Sequence, residues 1–324
     1  MRAAYYESNG PARDVLRVGE IPTPEPGPGE VRVRLAFSGL NPSDVKARAG
    51  SRKITVPQLV PNSDGAGVID AVGQGVSPSR IGERVWTWNG QWKRPFGTSA
   101  ESIALPERMA VPLPADVSFE AGACLGIPAM TASHAVEVAQ TQAGTVLLIP
   151  GGAGGVGHYA IQFAKARGAT VITTVSSPEK AKLAQQAGAD HVIDYKRENV
   201  GARVKALTGG RGVDAVLELD LAANAHLIPE VLRTNGQVVV YGTGKPMVDL
   251  PAYFCLTNQI RLQFIFVYEL TAAERERAVT EITRLLQAGR LSHNVAKTFP
   301  LDDIVAAHEA VEQGTAMGNV VIRV

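Results

Sequence analysis

The sequence predicts an α/β protein in two parts, a small β-rich domain followed by a doubly wound parallel sheet. Three observations carry this. The 324 residues are 45% hydrophobic and 19% charged, enough apolar chain for two cores. The first part is cut by Gly and Pro into short runs with strand-like alternation. Beyond about residue 122 the rhythm becomes apolar run, then amphipathic run, repeated along the chain.

The elements follow in order. "RAAYYE" and "VLRVGEI" read as strands, "PTPEPGPGE" as a turn, and "VRVRLAFSG" as a half-buried strand; "GAGVIDAVG", "ERVWTW" and "SIALP" complete the β-rich part. Next come "TVLLI", a helix over 155–167, "TVITTV", a helix over 178–187, "HVID", a helix over 198–207, "DAVLEL", a helix over 224–234, "QVVVYG" and "IRLQFIFVY". Six apolar strands separated by helices are most simply a doubly wound parallel sheet. The tail, "AERERAVTEITRLLQAG", "LDDIVAAHEAVEQG" and "NVVIRV", reads as two helices and an edge strand, too little for a third domain. It is expected to pack back on the first part, giving domains of 1–122 with 270–324, and of 123–269.

Composition narrows the function. A net charge of +1 does not suggest nucleic acid. No apolar stretch reaches membrane-spanning length, and "MRAAYYES" lacks the apolar core of a signal peptide, so a cytoplasmic protein is expected. Cys124 and Cys255 are far apart and form neither a disulfide framework nor a zinc lobe, and none of the six histidines has metal-ligand spacing with another.

The chemistry begins at Gly152-x-Gly154-x-x-Gly157, filled in by Ala153, Gly155 and Val156, between an apolar strand and a helix. In that setting the first glycine makes a turn, the second admits a pyrophosphate, the third lets helix and strand pack, and the helix N-terminus supplies partial positive charge. The next strand should end in Asp or Glu if the ligand has a free ribose 2′-hydroxyl. It ends instead in Ser176 and Ser177, with Lys180 one turn on, which favours a 2′-phosphate and hence NADPH over NADH. Glu179 follows the cap Ser177 and Pro178, where a carboxylate serves the helix dipole. Lys180 is otherwise an ordinary solvated helix residue.

These motifs, together with "FSGLNPSDVKARAG", "VPNSDGAGVIDAVGQGV", "AGACLGIPAMTA", "AKLAQQAGADHVIDY" and "PLDDIVAAHEAVEQGTAMGNVVI" in that order, resemble the medium-chain dehydrogenase/reductase superfamily, and within it the zinc-independent quinone oxidoreductases related to zeta-crystallin. The resemblance covers nearly the whole chain. It implies a GroES-like β-barrel catalytic domain from the N- and C-terminal segments, an inserted Rossmann domain, and a cleft that receives the nicotinamide. Where zinc-dependent members carry Cys and a "GHE" triplet, this chain has Asn41 and Asn62-Ser63-Asp64, donors that suit zinc poorly, so no metal is expected.

The same resemblance implies hydride delivery from NADPH to a quinone or conjugated enone, with Asn41 donating to the acceptor oxygen or else merely closing the turn before Pro42. Asp44 orients Asn41 or caps the following helix, and Lys46 replaces an aromatic residue of many relatives, pointing to an acidic or polar acceptor. Trp86, Trp88 and Trp92 are divided between core and pocket. Tyr195 completes a phosphate-binding group with Ser176 and Lys180; Phe264, Ile265 and Phe266 match positions near the nicotinamide, as does Thr131, which is equally read as a helix-interior residue bonding back to its own turn; Gly242, Thr243 and Gly244 lie at a strand C-terminus. Asn319 replaces a lysine frequent in relatives and carries no cofactor role. An apolar last strand, Arg261 to Val267, implies a homodimer. Three functions remain open: a quinone oxidoreductase, an enone or alkenal double-bond reductase on the same scaffold, and a low-turnover NADPH-binding sensor.

Overall fold

Glycine and proline keep the first strands short. The computed structural model describes residues 1–324, in which β1 (Arg2–Tyr5) and β2 (Arg17–Glu20) pair antiparallel ahead of β3 (Glu30–Leu40). β3 buries Val31, Val33 and Leu35 at alternate positions, the period-two signature of a half-buried strand. β4 (Asp64–Val72), β5 (Arg84–Thr87), β6 (Ser102–Pro106) and β7 (Ala110–Pro112) follow. Then come β8 (Val146–Pro150), β9 (Thr170–Val175), β10 (His191–Asp194), β11 (Val213–Glu218), β12 (Leu232–Val240) and β13 (Arg261–Phe264), before β14 (Val295–Pro300) and β15 (Asn319–Arg323) close the chain.

The chain forms two compact units, Met1–Pro128 with Ile282–Val324, and Ala129–Glu281. In the first, a seven-stranded sheet runs β14-β15-β3-β4-β5-β7, with β6 also paired to β3. The length of β3 serves two partners on one side: Glu30–Arg34 pairs with β6, and Phe37–Leu40 with the last strand β15. That strand is therefore not an edge, as its sequence suggests; it lies between β3 and β14, and β14 itself has no clear sequence signal. A core of Tyr6, Leu40, Val45, Phe299, Ile304, Ala307 and Ile322 joins the first and last segments of the chain.

The second unit is a six-stranded, wholly parallel sheet of order β10-β9-β8-β11-β12-β13, the doubly wound arrangement expected. Leu148, Ile172, Ile193, Val216, Val238 and Val240 pack in its core with helix residues Val204, Leu221 and Ile228. Two elements differ from the sequence reading. The helix over 224–234 is a broken one, Leu221–Asn224, a tight turn at Ala225–Leu227 and Ile228–Val231, because Pro229 lacks the N–H needed to continue a helix through it. Leu232 then pairs with Val213, so the strand begins five residues before "QVVVY". The last strand stops at Phe264, and Val267 and Tyr268 turn inward to become buried. No helix is long and apolar enough to cross a membrane.

Candidate active site

In the second unit, the residues expected to hold a dinucleotide gather at the C-terminal ends of the parallel strands. β8 ends at Pro150, and the turn is made by Gly151, which has φ 72° and was missing from the sequence assignment. Gly152, expected to make that turn, packs instead against β9: a Cβ there would lie 2.2 Å from Thr173 Oγ1. On Gly157 a Cβ would lie 2.3 Å from the Gly151 carbonyl oxygen, so this glycine sets helix Gly155–Ala166 close on the turn. Gly154 caps that helix without a side chain, is exposed, and would bring an added Cβ no nearer than 3.2 Å to any group. Ala153 is buried beneath the turn, and Gly155 and Val156 begin the helix. The first-turn amides of a twelve-residue helix thus face an open cradle of the kind a pyrophosphate fits.

At the end of β9, Ser177 Oγ accepts from Lys180 N at 3.3 Å as the cap of helix Pro178–Gln186, and Lys180 Nζ donates to Ser176 Oγ at 3.0 Å. The exposed Glu179 carboxyl is held below the usual carboxylate range by the Ser177 hydroxyl. Tyr195 N donates to Val175 O at 3.1 Å, tying the ends of β9 and β10, while its side chain remains exposed. Ser176 and Tyr195 therefore stand on adjacent strand ends, with Lys180 in the first turn of the helix that follows β9. A separate hollow of about 370 Å³ between Pro178, Ala181 and Val192 contains none of these three.

Beyond β12, a Cβ on Gly242 would lie 2.1 Å from the Leu219 carbonyl oxygen, and Gly244 N donates to Asp220 Oδ1 at 2.7 Å, so Asp220 latches the loops after β11 and β12 together. Thr243 Oγ1 donates to Lys245 O at 2.8 Å within that loop. Ile265 N donates to Val240 O at 2.9 Å, and Phe264 and Phe266 on either side are exposed. Thr131 is unlike the others: it is buried inside helix Met130–Val138, which packs on helix Gly155–Ala166.

In the first unit, Asn41 is the cap of the short helix Pro42–Lys46 and forms a capping box with Asp44. Its N–H donates to Asp44 Oδ2 at 2.9 Å, and its side-chain Nδ2 donates to Asp64 Oδ2 at 2.8 Å. Ile127 N reaches both oxygens of Asp64 at 2.9 Å. All three side chains are buried. Burial pushes the Asp44 carboxyl up to about 7, against the opposing hydrogen bond from the Asn41 N–H and the nearby Arg52. Burial, with the nearby Asp44 charge, raises Asp64 well above the carboxylate range, against the hydrogen bonds from Ile127 N and Asn41.

Asp64 is the residue that sequence reasoning missed, treated there only as the replacement for a zinc ligand. Its signal was the acidic side chain retained in "NSDGAG" beside Asn62 and Ser63. The donor set does not fit zinc: the amide nitrogens of Asn41 and Asn62 are hydrogen-bond donors, to Asp64 and to Ser38 Oγ, and no group of three His, Cys, Asp or Glu could hold a metal. Trp86 and Trp88 are core residues, whereas Trp92 is half-buried with the Arg52 guanidinium 4.6 Å from its ring centre.

Comparison with known proteins agrees with this architecture. Residues 27–115 match the alcohol dehydrogenase GroES-like domain, and residues 155–285 the zinc-binding dehydrogenase domain. The chain is 31% identical to a quinone oxidoreductase of Pseudomonas aeruginosa, covering 99% of this chain and 98% of that one. It is 30% identical, with the same coverage, to a 2-haloacrylate reductase of a Burkholderia species. Among solved structures, an NAD-dependent alcohol dehydrogenase superposes with a TM-score of 0.91 at 30% identity, covering 100% of both chains. A mycobacterial protein complexed with NADPH superposes at 0.88 and 29% identity, again over 100% of both chains. A GroES-like unit joined to a Rossmann sheet defines a nicotinamide-dependent oxidoreductase. The chain belongs to the medium-chain dehydrogenase/reductase superfamily and is quinone oxidoreductase-like within it.

Proposed function

We propose that the protein is an NADPH-dependent, zinc-independent quinone oxidoreductase. The observation that carries this reading is the end of β9, where Lys180 and Ser176 are hydrogen-bonded to each other in place of a carboxylate, with Tyr195 on the neighbouring strand end. An ammonium and hydroxyl groups complement a phosphate, whereas a ribose 2′-hydroxyl would call for an acceptor. When bound, NADPH supplies two electrons as reductant. The turn of Gly151, Gly152, Ala153 and Gly154 and the helix start at Gly155, Val156 and Gly157 hold its pyrophosphate in this reading, and Thr131, Gly242, Thr243, Gly244, Phe264, Ile265 and Phe266 serve its nicotinamide end.

Asn41 completes the reaction. One hydrogen of its side-chain amide is engaged by Asp64, and in this reading the second turns from Asp44 to a quinone oxygen as negative charge collects there. Such an electrophile is reducible without a Lewis acid, which accords with donors that do not suit zinc. The relative named for 2-haloacrylate favours a second reading, a reductase of conjugated double bonds on the same scaffold. The two are separated by supplying NADPH with a simple quinone or with a conjugated alkenal and following cofactor oxidation and product. The first reading expects the quinone to be turned over with at least tenfold higher kcat/KM, and preference for the alkenal refutes it.

A homodimer is part of the proposal. β13 forms one edge of the parallel sheet; Phe264 at its end and Phe266 just beyond expose large apolar side chains, as do Met247, Tyr253 and Leu256 in the segment that leads into it. A second copy pairing along that edge would cover them. Cys124 and Cys255 are free thiols, which suits the cytoplasmic location expected from the sequence.

A further inference from the structure

We propose that Asp64 is a positioning residue that dedicates the Asn41 side chain to hydrogen-bond donation; the inference rests on the reading of Asn41 given above. Each hydrogen bond to the Asp64 side chain comes from an N–H donor. Ile127 N approaches both of its oxygens at 2.9 Å, and Asn41 Nδ2 donates to Oδ2 at 2.8 Å. The side chain cannot move away from them. It is fully buried, and an added Cβ on Gly126 would come within 2.1 Å of its Oδ1, one on Gly39 within 2.9 Å of its Cβ.

In the ionised form, which its N–H donors favour against burial, Asp64 accepts on two oxygens, whereas an amide in the same place accepts on one and donates on the other. Asp64 thus satisfies Ile127 and Asn41 together, and in doing so fixes which end of the Asn41 amide points toward it. In the capping box the Asn41 side chain faces the Asp44 N–H, which suits its oxygen. Both contacts demand the same amide orientation, in which the Nδ2 hydrogen that Asp64 does not hold, one that also interacts with the Asp44 carboxyl, is the group Asn41 can offer a ligand. Asp44 holds the backbone of the same residue through Asn41 N. The two carboxylates, 20 residues apart in sequence, therefore fix one asparagine from two sides.

The test exchanges the pair. Asp64→Asn leaves either Ile127 N or Asn41 Nδ2 facing another donor. The double variant Asn41→Asp with Asp64→Asn restores the contact between positions 41 and 64 in reverse and keeps one of the two approaches of Ile127 N, because the new amide donates to position 41 while its oxygen still accepts from Ile127 N. Position 41 then carries no donor. Urea unfolding, NADPH binding by fluorescence titration and steady-state quinone reduction are measured for wild type, both single variants and the double variant.

The expected result is a lowered unfolding midpoint for Asp64→Asn that the double variant recovers. Quinone turnover should fall about a hundredfold in both, as when one donor to a developing oxyanion is lost, with the Kd for NADPH unchanged. Recovery of turnover in the double variant, turnover within threefold of wild type in Asp64→Asn, or failure of the double variant to recover the midpoint each overturns the proposal. A wild type that binds NADPH but reduces no acceptor refutes the functional reading itself, and the positioning role with it.

Discussion

Asp44 shows how much a single buried carboxyl can control. Its Oδ2 accepts from Asn41 N, but its Oδ1 is buried with no hydrogen-bond partner, and burial lifts its pKa to about 7. The unfolded chain loses this proton near the usual carboxylate range and the folded chain retains it to about pH 7. Between those values the folded state binds more protons, so this group's contribution to stability declines as pH rises, and the full penalty is present above about pH 7. Asp44→Asn keeps an oxygen for the Asn41 N–H and removes the charge. Urea unfolding from pH 4 to 8 is expected to show a flatter pH dependence than wild type and a gain above pH 7 of at most about 4 kcal/mol; parallel wild-type and variant curves would contradict the account. Asn41 and Asp44 were legible because they lie three residues apart around a proline. Asp64, 23 residues further on, meets Asn41 only once β3 and β4 are paired, a relation that spacing does not reveal.

The glycine turn makes the case at the scale of an element. Gly157→Ala would set a methyl 2.3 Å from the Gly151 backbone oxygen, which cannot step aside without moving the turn. It should destabilise the protein by about 1–3 kcal/mol, the usual range for overpacking. Gly154→Ala meets nothing closer than 3.2 Å and has φ −77°, so stability should change by less than about 1 kcal/mol. Its methyl would stand in the exposed cradle, and NADPH affinity should fall at least tenfold. Equal loss of stability in the two variants, measured by thermal unfolding beside the binding titration, would separate the turn from the ligand. The strand–turn–helix unit was readable because its apolar and amphipathic periods are strong. The exact turning residue was not, since consecutive glycines at 151 and 152 look alike until one has positive φ and the other abuts Thr173. Pro229 explains the overrun at 224–234: the apolar pattern continues through it, but the hydrogen-bond ladder does not.

For the whole molecule, the sequence gives both sheets but not every place in them. The parallel sheet was legible because its central strands are apolar runs and each strand is separated from the next by a helix. β14 escaped notice because "VAKTFP" is short and carries a lysine and a proline, and its pairing with β15 moves the last strand from an edge to the interior of the sheet. Oligomeric state belongs to this scale as well. Sedimentation is expected to give a dimer at micromolar concentration and a monomer for Leu256→Asp with Phe264→Asp, and a monomeric wild type would remove the role given to β13. The central claim is NADPH-dependent reduction of a quinone without a metal. Its most direct test is steady-state oxidation of NADPH and of NADH by a simple quinone, using protein dialysed against a chelator and assayed with the chelator present. The account predicts turnover unchanged by the chelator and kcat/KM at least tenfold higher for NADPH. Loss of turnover on chelation, or equal or better use of NADH, would contradict it.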